Sequence, residues 1–556
     1  MNIPIITSHS KRRNRRKLFA MMRGYRLLRA NKQLARIMDA QIALVEMPLG
    51  IPSSKVSKHL FGAATAKANE AIRDFLVIRV GMYSLNKSLL VSLGKKKDRI
   101  VHPLPEIWRG KIRSLGWRVS EIKSALMWQG FLFLYFGYGG LLLTKNLLLG
   151  IITSFRKIPD NPERSVYFAG LTKKNLPQQE DGDSYDIISW YLQWQGKETE
   201  IQTIGHNVKD IPEFKIKGVN IRYTDPLTPL RGLVTNLWLF SWGFGAACIC
   251  LLDWLRGRWW SPLMFAPCVQ GFIAKQQPTF AVDYLFHNSG SSKPLWLYEV
   301  ETRGAKSSFY FYSTNCDSFK IKEGYQSTPA YYRNMNWSRY LVWDQEQANF
   351  VRRCAGNLAK VEIVGPIWYS DTAVLLPKLT SRTVAVFDIQ PKRKSVYEVL
   401  GSPLEYYTPA VGIKFLNDIH EAVVKYNWIM AWKGKRKLPQ TQTRQIAKSY
   451  ETVCKKLAFS PNMLVINPDI AATRLIEKSA LVISMPFTST AIVARDLGKP
   501  SYYYDPSGII QKDDRAAHGI PIISGFGRLQ ELFTSKVSRL SGTPIDSCLE
   551  KNKQFI

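Results

Sequence analysis

Metal-binding and redox signatures are missing from this sequence. Only 7 cysteines occur in 556 residues, at 248, 250, 268, 316, 354, 454 and 548, and none forms a CxxC pair or a zinc-ligand spacing. Their low density and odd number exclude a disulfide framework and predict reduced, mostly buried thiols in a cytosolic compartment. The histidines at 9, 59, 102, 206, 420 and 518 show no metal-ligand spacing, and neither a Gly-rich P-loop nor a GxSxG elbow is present. Acidic residues are scarce: 43 Asp+Glu against 77 Lys+Arg leave a formal charge of +34. Such a field favours polyanions, whether nucleic acid, anionic lipid headgroups or phosphorylated substrates. The basic opening MNIPIITSHSKRRNRRKLFAMMRG lacks the apolar core and cleavage site that would make it a secretory signal.

Apolar residues are unevenly placed. Leu18, Phe19, Met22, Leu27, Leu28, Leu34, Ile37 and Met38 recur at helical spacing among eleven Lys/Arg that precede Asp39. This pattern predicts one basic amphipathic helix over 16–40, suited to a membrane surface rather than to nucleic acid, since no nucleic-acid fold signature follows. Two uncharged runs, 124–144 and 232–252, reach spanning length. Cations flank each run on both sides, so charge gives no orientation. αβ-like segments lie before, between and after the runs, and two crossings would part segments expected to pair. Buried helices, or monotopic ones that dip into one leaflet, are therefore the expectation.

From about residue 163 short β-rich runs alternate with helical stretches. RSVYFAGLT, TEIQTIGHN, VNIRYTDP, FAVDYLFHNS, PLWLYEVETRG, SRYLVWD and AKVEIVGPIW read as strands, with helices in SYDIISWYLQWQ and QEQANFVRRCA. After a linker at 370–381, TVAVFDIQP, WIMAWKGKRK, NMLVINPD, SALVISMP and KPSYYYDP read as further strands separated by helices. Such alternation implies parallel sheets covered on both faces. The expected fold class is α/β, with two Rossmann-like domains facing a cleft after a mostly helical basic and apolar region. The boundaries drawn are 1–160, 161–375 (with an apolar insertion at about 232–262) and 376–556.

In ISMPFTSTAIVARDLG, Pro486 ends a strand, and Phe487, Thr488, Ser489 and Thr490 lead into a helix. Ser and Thr cap helices, but three hydroxyls exceed what one cap needs. A helix N-terminus at the carboxyl end of a parallel strand also attracts anions. Lys433, Lys435, Arg436 and Lys437 follow another strand and open on the same edge, where Arg clamps a diphosphate and Lys adds charge. Together the two loops describe a nucleotide or nucleotide-sugar pocket. A DxD pattern, Asp181-Gly182-Asp183, lies in the polar KKNLPQQEDGDS rather than at a strand end and reads as a solvated loop.

PFTST followed by ARDLGKPSYYYDPSG, with PLWLYEVETRGAKSSFYFYSTN, YLVWDQEQANFVRR, VEIVGPIWYSD and VAVFDIQP upstream, resembles the bacterial PFTS motif polysaccharide-biosynthesis proteins over roughly 160–540. The resemblance implies a GT-B glycosyltransferase of capsule or O-antigen type pathways, with the sugar nucleotide on the C-terminal domain and the acceptor on the N-terminal one. Similar hydroxyl loops occur in transferases using CMP-activated acidic sugars, which makes such a donor the first expectation. No cofactor and no metal is expected, because cations and backbone N–H groups take the departing phosphate. The acceptor needs a base from the N-terminal domain. Glu299 or Glu301 is the first candidate, two apart on one expected strand face, where burial would raise a carboxylate pKa. His287 and Asp344 stand in reserve, and Arg303 neighbours the glutamates. The partners implied are a nucleotide-sugar donor, a lipid-linked or polysaccharide acceptor and the anionic cytoplasmic surface of the bacterial inner membrane, held peripherally or monotopically, with no nucleic acid. A nucleotide-sugar epimerase-like enzyme on the same scaffold and a non-catalytic polyanion-binding protein are the alternatives.

Overall fold

The computed structural model describes residues 8–540, apart from 32, 34, 47–58, 79–82, 96–98, 155–163, 178–183, 197–199, 289–292, 315–316, 318, 323, 326–331, 334, 393–405 and 437–445. Asp181, Asp183 and Lys437 therefore lie outside the described residues. Cys250, Cys268 and Cys454 are buried thiols.

Runs of β-branched and aromatic residues build two sheets. The first contains β1 (Ser165–Phe168), β2 (Thr203–His206), β3 (Phe214–Ile216), β4 (Val219–Tyr223), β5 (Asp283–His287) and β6 (Lys306–Tyr310). A hairpin of β7 (Lys320–Ile321) and β8 (Gly324–Tyr325) stands apart, and β9 (Arg339–Val342) and β10 (Val361–Ile363) complete the sheet. Its order is β10-β9-β6-β5-β1-β2-β4-β3, and only β3 runs antiparallel to its neighbour. The second sheet takes β11 (Thr383–Phe387), β12 (Ile429–Lys433), β13 (Met463–Val465), β14 (Leu481–Ser484), β15 (Ser501–Asp505) and β16 (Ile522–Ser524) in the order β13-β12-β11-β14-β15-β16. Every residue of β1, β5, β11 and β14 is buried, as expected where helices cover both faces of a parallel sheet. The fold class is thus α/β, two Rossmann-like units in the GT-B manner behind a helical region. One apolar cluster joins them, running from Phe168, Leu285 and Tyr310 to Val386, Ile483 and Phe487.

The helical region comprises α1 (Ser8–Ala30), α2 (Ala35–Glu46), α3 (Ala68–Leu76), α4 (Tyr83–Gly94), α5 (Glu106–Ser114) and α6 (Glu121–Thr153). The single helix expected over 16–40 is thus two helices. Met21, Tyr25 and Leu28 of the first are buried within the helical core, although Phe19 stays exposed. The α1–α4 crossing is close because Gly24 and Gly94 face the opposite backbone. A Cβ on Gly24 would collide with the Leu90 carbonyl, and one on Gly94 with the Ala20 carbonyl.

Helices α7 (Ile187–Gln195), α8 (Leu233–Leu255), α9 (Ser261–Gln276), α10 (Leu295–Glu301) and α11 (Gln345–Ala355) belong to the first sheet's connections. Those of the second are α12 (Pro409–Lys425), α13 (Lys448–Leu457), α14 (Ala472–Glu477), α15 (Thr490–Asp496) and α16 (Phe526–Leu540). One expectation needs correction: PLWLYEVETRG forms helix α10, and the strand is the following KSSFY. β5 and β6 are parallel neighbours, so a crossover must join them. Residues Leu295 to Val300 are all buried, which erases any helical period from the sequence.

Because neither glycine at the α1–α4 crossing has room for a side chain, Gly94→Leu should cost about 1–3 kcal/mol of stability. Urea unfolding measures it, and an unchanged midpoint would contradict the close crossing.

Candidate active site between the two sheets

Open parallel sheets offer their chemistry beyond the carboxyl ends of the strands. Here those ends meet at a seam. Leaving β14, Pro486 ends the ladder and Phe487 takes φ 64°, a left-handed conformation uncommon for an aromatic residue. Its buried ring is held against Phe319 of the first unit (centroids 4.9 Å apart) and Tyr503 (5.7 Å). Tyr407 donates to the Pro486 carbonyl at 2.9 Å and Tyr503 to the Thr488 carbonyl at 3.0 Å, which fixes the loop from two sides.

Two of the three hydroxyls, those of Thr488 and Thr490, lie 3.3 Å apart, and each of the three has a further partner. Thr488 donates to the Met485 carbonyl at 2.8 Å, Thr490 lies 3.0 Å from the Ser484 hydroxyl, and Ser489 crosses the seam. Ser489 Oγ accepts from the Thr314 backbone N–H at 2.9 Å and from the Thr314 hydroxyl at 3.2 Å. Further contacts close the same side. Asp344 caps α11 through the Gln347 N–H and pairs with His518 Nδ1 at 2.8 Å. Arg495 approaches the same carboxylate at 3.4 Å, and Arg515 pairs with Asp317 at 2.7 Å. On the linker side Asp371 accepts from Ala471 N at 3.0 Å and Tyr185 N at 3.2 Å, while Tyr185 donates to Glu477.

At the first sheet's carboxyl edge stands His287, the last residue of β5. Nε2 lies 3.1 Å from the Gly170 carbonyl and 3.5 Å from Tyr369 OH. Tyr310, Tyr312 and Tyr369 surround the ring at 5.6–5.7 Å. A Cβ on Gly170 would come within 2.7 Å of Nε2, so glycine is required there. Burial lowers the imidazole pKa, which keeps the ring neutral. The opposite edge carries Lys433, whose Nζ donates to the Pro468 carbonyl at 2.9 Å. Burial pushes its ammonium down to about 8, against the attraction of Asp469 and Asp371. Lys435 and Arg436 are exposed beside it, and Gln390 donates to the Arg436 carbonyl at 2.6 Å. Asp388, at the end of β11, is buried against Tyr450 OH, and burial raises it to about 6.

A model of the polysaccharide biosynthesis PFTS motif protein family matches residues 249–533, which include His287, Lys433 and the PFTS loop. The chain belongs to this family. No curated protein matches it. Among solved structures it is similar to S. aureus MnaA in a co-structure with UDP, at 7% identity and TM-score 0.35 over 67% of this chain and 88% of that one. A UDP-GlcNAc 2-epimerase from Methanocaldococcus jannaschii shows 8% identity and TM-score 0.32 over 69% and 94%. An E. coli trehalose-6-phosphate protein bound with UDP-2-fluoro glucose shows 10% and 0.34 over 68% and 92%. Likenesses this distant carry no argument about chemistry.

In this PFTS-motif protein Glu299 and Glu301 are not at the seam. They precede β6 and so lie at its amino end, a five-residue strand of roughly 16 Å from the carboxyl edge. Glu299 Oε1 accepts from Ala63 N at 2.7 Å, tying α10 to the helical region. Glu301 pairs with the buried Lys293 at 2.7 Å, and Arg303 donates to the Ala274 carbonyl at 2.7 Å. These positions correct the expectation of a glutamate pair on a strand face above the cleft. Sequence reasoning also missed Thr314, Asp371, Asp388 and His518. For Asp388 the signal was present, an Asp directly after a buried β-branched strand. The others have partners a hundred or more residues away.

Asp344 yields a pH test. Burial works to raise its pKa, but His518, the Gln347 N–H and Arg495 outweigh it and hold the carboxylate below the usual range. Its stabilisation is full above the unfolded value of about 3.9 and fades as pH falls through the lower folded value. Asp344→Asn should therefore cost about 1–3 kcal/mol at neutral pH. Thermal melts of variant and wild type should converge in strong acid; parallel curves across that range would contradict the pairing.

Proposed function

We propose that this protein is a GT-B-type glycosyltransferase. It moves a sugar from a nucleotide-activated donor on the second sheet to a lipid-linked or polysaccharide acceptor over the first, at the cytoplasmic face of the bacterial inner membrane. The observation that carries this reading is the meeting of two carboxyl edges at the PFTS loop, with a buried neutral imidazole on one edge and cations on the other, in a polysaccharide-biosynthesis family.

His287 takes the role of general base in place of the glutamates. With Nε2–H donating to the Gly170 carbonyl, Nδ1 is the basic nitrogen, and a neutral ring at working pH suits proton removal from an acceptor hydroxyl. The departing nucleotide phosphate meets Lys433, Lys435 and Arg436, whose positive charge opposes the charge developing there. Opening the Thr314–Ser489 contact offers Ser489, together with Thr488 and Thr490 between Phe487 and the first turn of α15, to the donor. CMP-activated acidic sugars are the donor class we favour, because the same cations suit a sugar carboxylate as well as a phosphate.

His287→Gln should lower kcat by about 10²–10⁴-fold, measured as nucleotide released in the presence of lipid-linked acceptor, with donor affinity unchanged. Full turnover by the variant would remove His287 from the reaction, and donor conversion without acceptor would favour an epimerase. A second expectation follows from Lys433. Its pKa of about 8 lies below the free value, so at mildly alkaline pH it is partly neutral, and an arriving phosphate raises it. CMP binding near that pH should take up a proton, visible as a dependence of calorimetric heat on buffer ionisation enthalpy. Lys433→Met should abolish the uptake.

A further inference from the structure

Helices α6 and α8 carry more exposed apolar surface than their packing explains. They run antiparallel: Trp254 donates to Gln129 at 2.8 Å near one end, Gly243 faces Leu143 in the middle, and Gly150 faces Asn236 near the other end. Each buries one stripe along its whole length, Ser124, Trp128, Leu132, Gly139, Asn146 and Gly150 on α6 and Asn236, Leu239, Gly243, Ala246, Cys250 and Asp253 on α8. The outer faces are open, with Leu134 70% exposed, Leu141 72%, Val234 80% and Trp238 60%. A contiguous apolar face of this kind marks an interaction site.

Both helices are long and apolar enough to cross a bilayer, but the topology forbids it. β1 precedes α8 in the chain and β5 follows it, yet the two strands pair, Val166 with Asp283. If α8 crossed without a return span, alone or with α6, those strands would stand on opposite sides, and α9, the helix between α8 and β5, has 16 residues, short of the roughly 20 a span needs. If α6 crossed alone, the helical region would be parted from the sheet, whereas Ala63 N donates to Glu299 Oε1. Everything on either end of both helices therefore stays on one side.

We infer that the α6–α8 face lies flat in one leaflet of an anionic bilayer, its helix axes along the membrane surface and its apolar side at the headgroup–acyl boundary. Charge favours this occupant. Arg113, Arg118, Lys123 and Arg256 border the face at one end, and Lys145 and Arg231 toward the other. An open groove of about 640 Å³, lined by Arg99, Arg113, Arg118, Trp117, Glu121 and Ile122, adjoins the start of α6. Glu121 pairs with Arg113 at 3.3 Å and with Arg109 at 2.8 Å, and three arginines against one carboxylate leave net positive charge for a lipid phosphate beside its acyl chain. In a two-fold dimer through the same face, the cationic borders of two identical surfaces would face each other, whereas anionic headgroups neutralise them. The inference stands independently of the transfer chemistry.

The test is flotation of the full chain with phosphatidylglycerol–phosphatidylcholine vesicles and with phosphatidylcholine vesicles alone, at low and high salt. Wild type should float with the anionic vesicles at least tenfold better. Leu141→Glu/Trp238→Glu should lose flotation, and Arg113→Glu/Arg118→Glu should lose its salt-sensitive part. All four positions are at the surface, and unchanged thermal melts establish that the variants fold; Leu141→Ser/Trp238→Ser serves if the glutamates do not. Unchanged flotation of the apolar-face variants would overturn the inference. So would equal binding to both vesicle types, or a wild-type dimer that the apolar-face variant converts to monomer with no flotation by either.

Discussion

The pairing of β1 with β5 is the constraint on which the rest of this molecule depends. The two strands join side by side through Val166, Tyr167 and Phe168 against Asp283, Tyr284 and Leu285, although the whole apolar excursion of α8 and α9 separates them in the chain. That excursion must return to the side it left, so α9 is buried nearly throughout and α8 is left along the surface. The same register sets His287 against the Gly170 carbonyl. At the opposite edge it places Asp283 where Ser308 donates to it at 2.7 Å and Arg339 pairs with it. The Arg339 guanidinium also reaches Glu362 at 3.1 Å, which ties β5, β6, β9 and β10 together at their amino ends. A buried carboxylate is tolerable there because Ser308 of the neighbouring β6 donates to it and Arg339 of β9, one strand further, supplies the opposite charge.

The PFTS loop is the second organising feature, and its chemistry is that of a joint. A left-handed phenylalanine costs of order 1–3 kcal/mol and persists only where the surroundings over-determine it. Here the ring is enclosed by Phe319, Tyr503 and the closing residues of the seam, and hydroxyls from Tyr407 and Tyr503 hold the adjacent carbonyls. Ser489 then bonds to the other sheet. The loop that the transfer reading assigns to the donor is thus also the loop that senses how the two units sit. Donor capture and closure over the acceptor edge become one event on this reading, as suits a reaction that must exclude water.

Much of this was legible in the residues. The alternation of buried β-rich runs with helices marks every parallel strand of the second sheet except its last, β16, and the helix in QEQANFVRRCA is α11 to the residue. What failed did so for a physical reason. A helix buried on all sides has no polar face, so α10 reads as a strand, and the glutamates that end it were carried to the wrong edge of the sheet. The single amphipathic helix expected at 16–40 is two helices, and the first packs its apolar face on α4 through Gly24 and Gly94. His287 was legible as a lone histidine at a strand end, but its cage of tyrosines was not, since Tyr310 and Tyr312 come from the end of β6 and Tyr369 from the segment beyond β10. The seam was beyond reach for the same reason: Thr314 and Ser489, and Asp344 and His518, lie 175 and 174 residues apart. Only the fold makes them neighbours.

The central claim is that the second sheet's carboxyl edge holds a nucleotide. The most direct measurement is a thermal-shift series on the full chain with CMP, UDP, GDP and dTDP. One nucleotide should stand out, adding about 2.7 kcal/mol of stability at a hundred times its dissociation constant, and Lys433→Met should remove that shift while leaving the unliganded melt intact. No stabilisation by any of the four, or an undiminished shift in the Lys433 variant, would contradict the account.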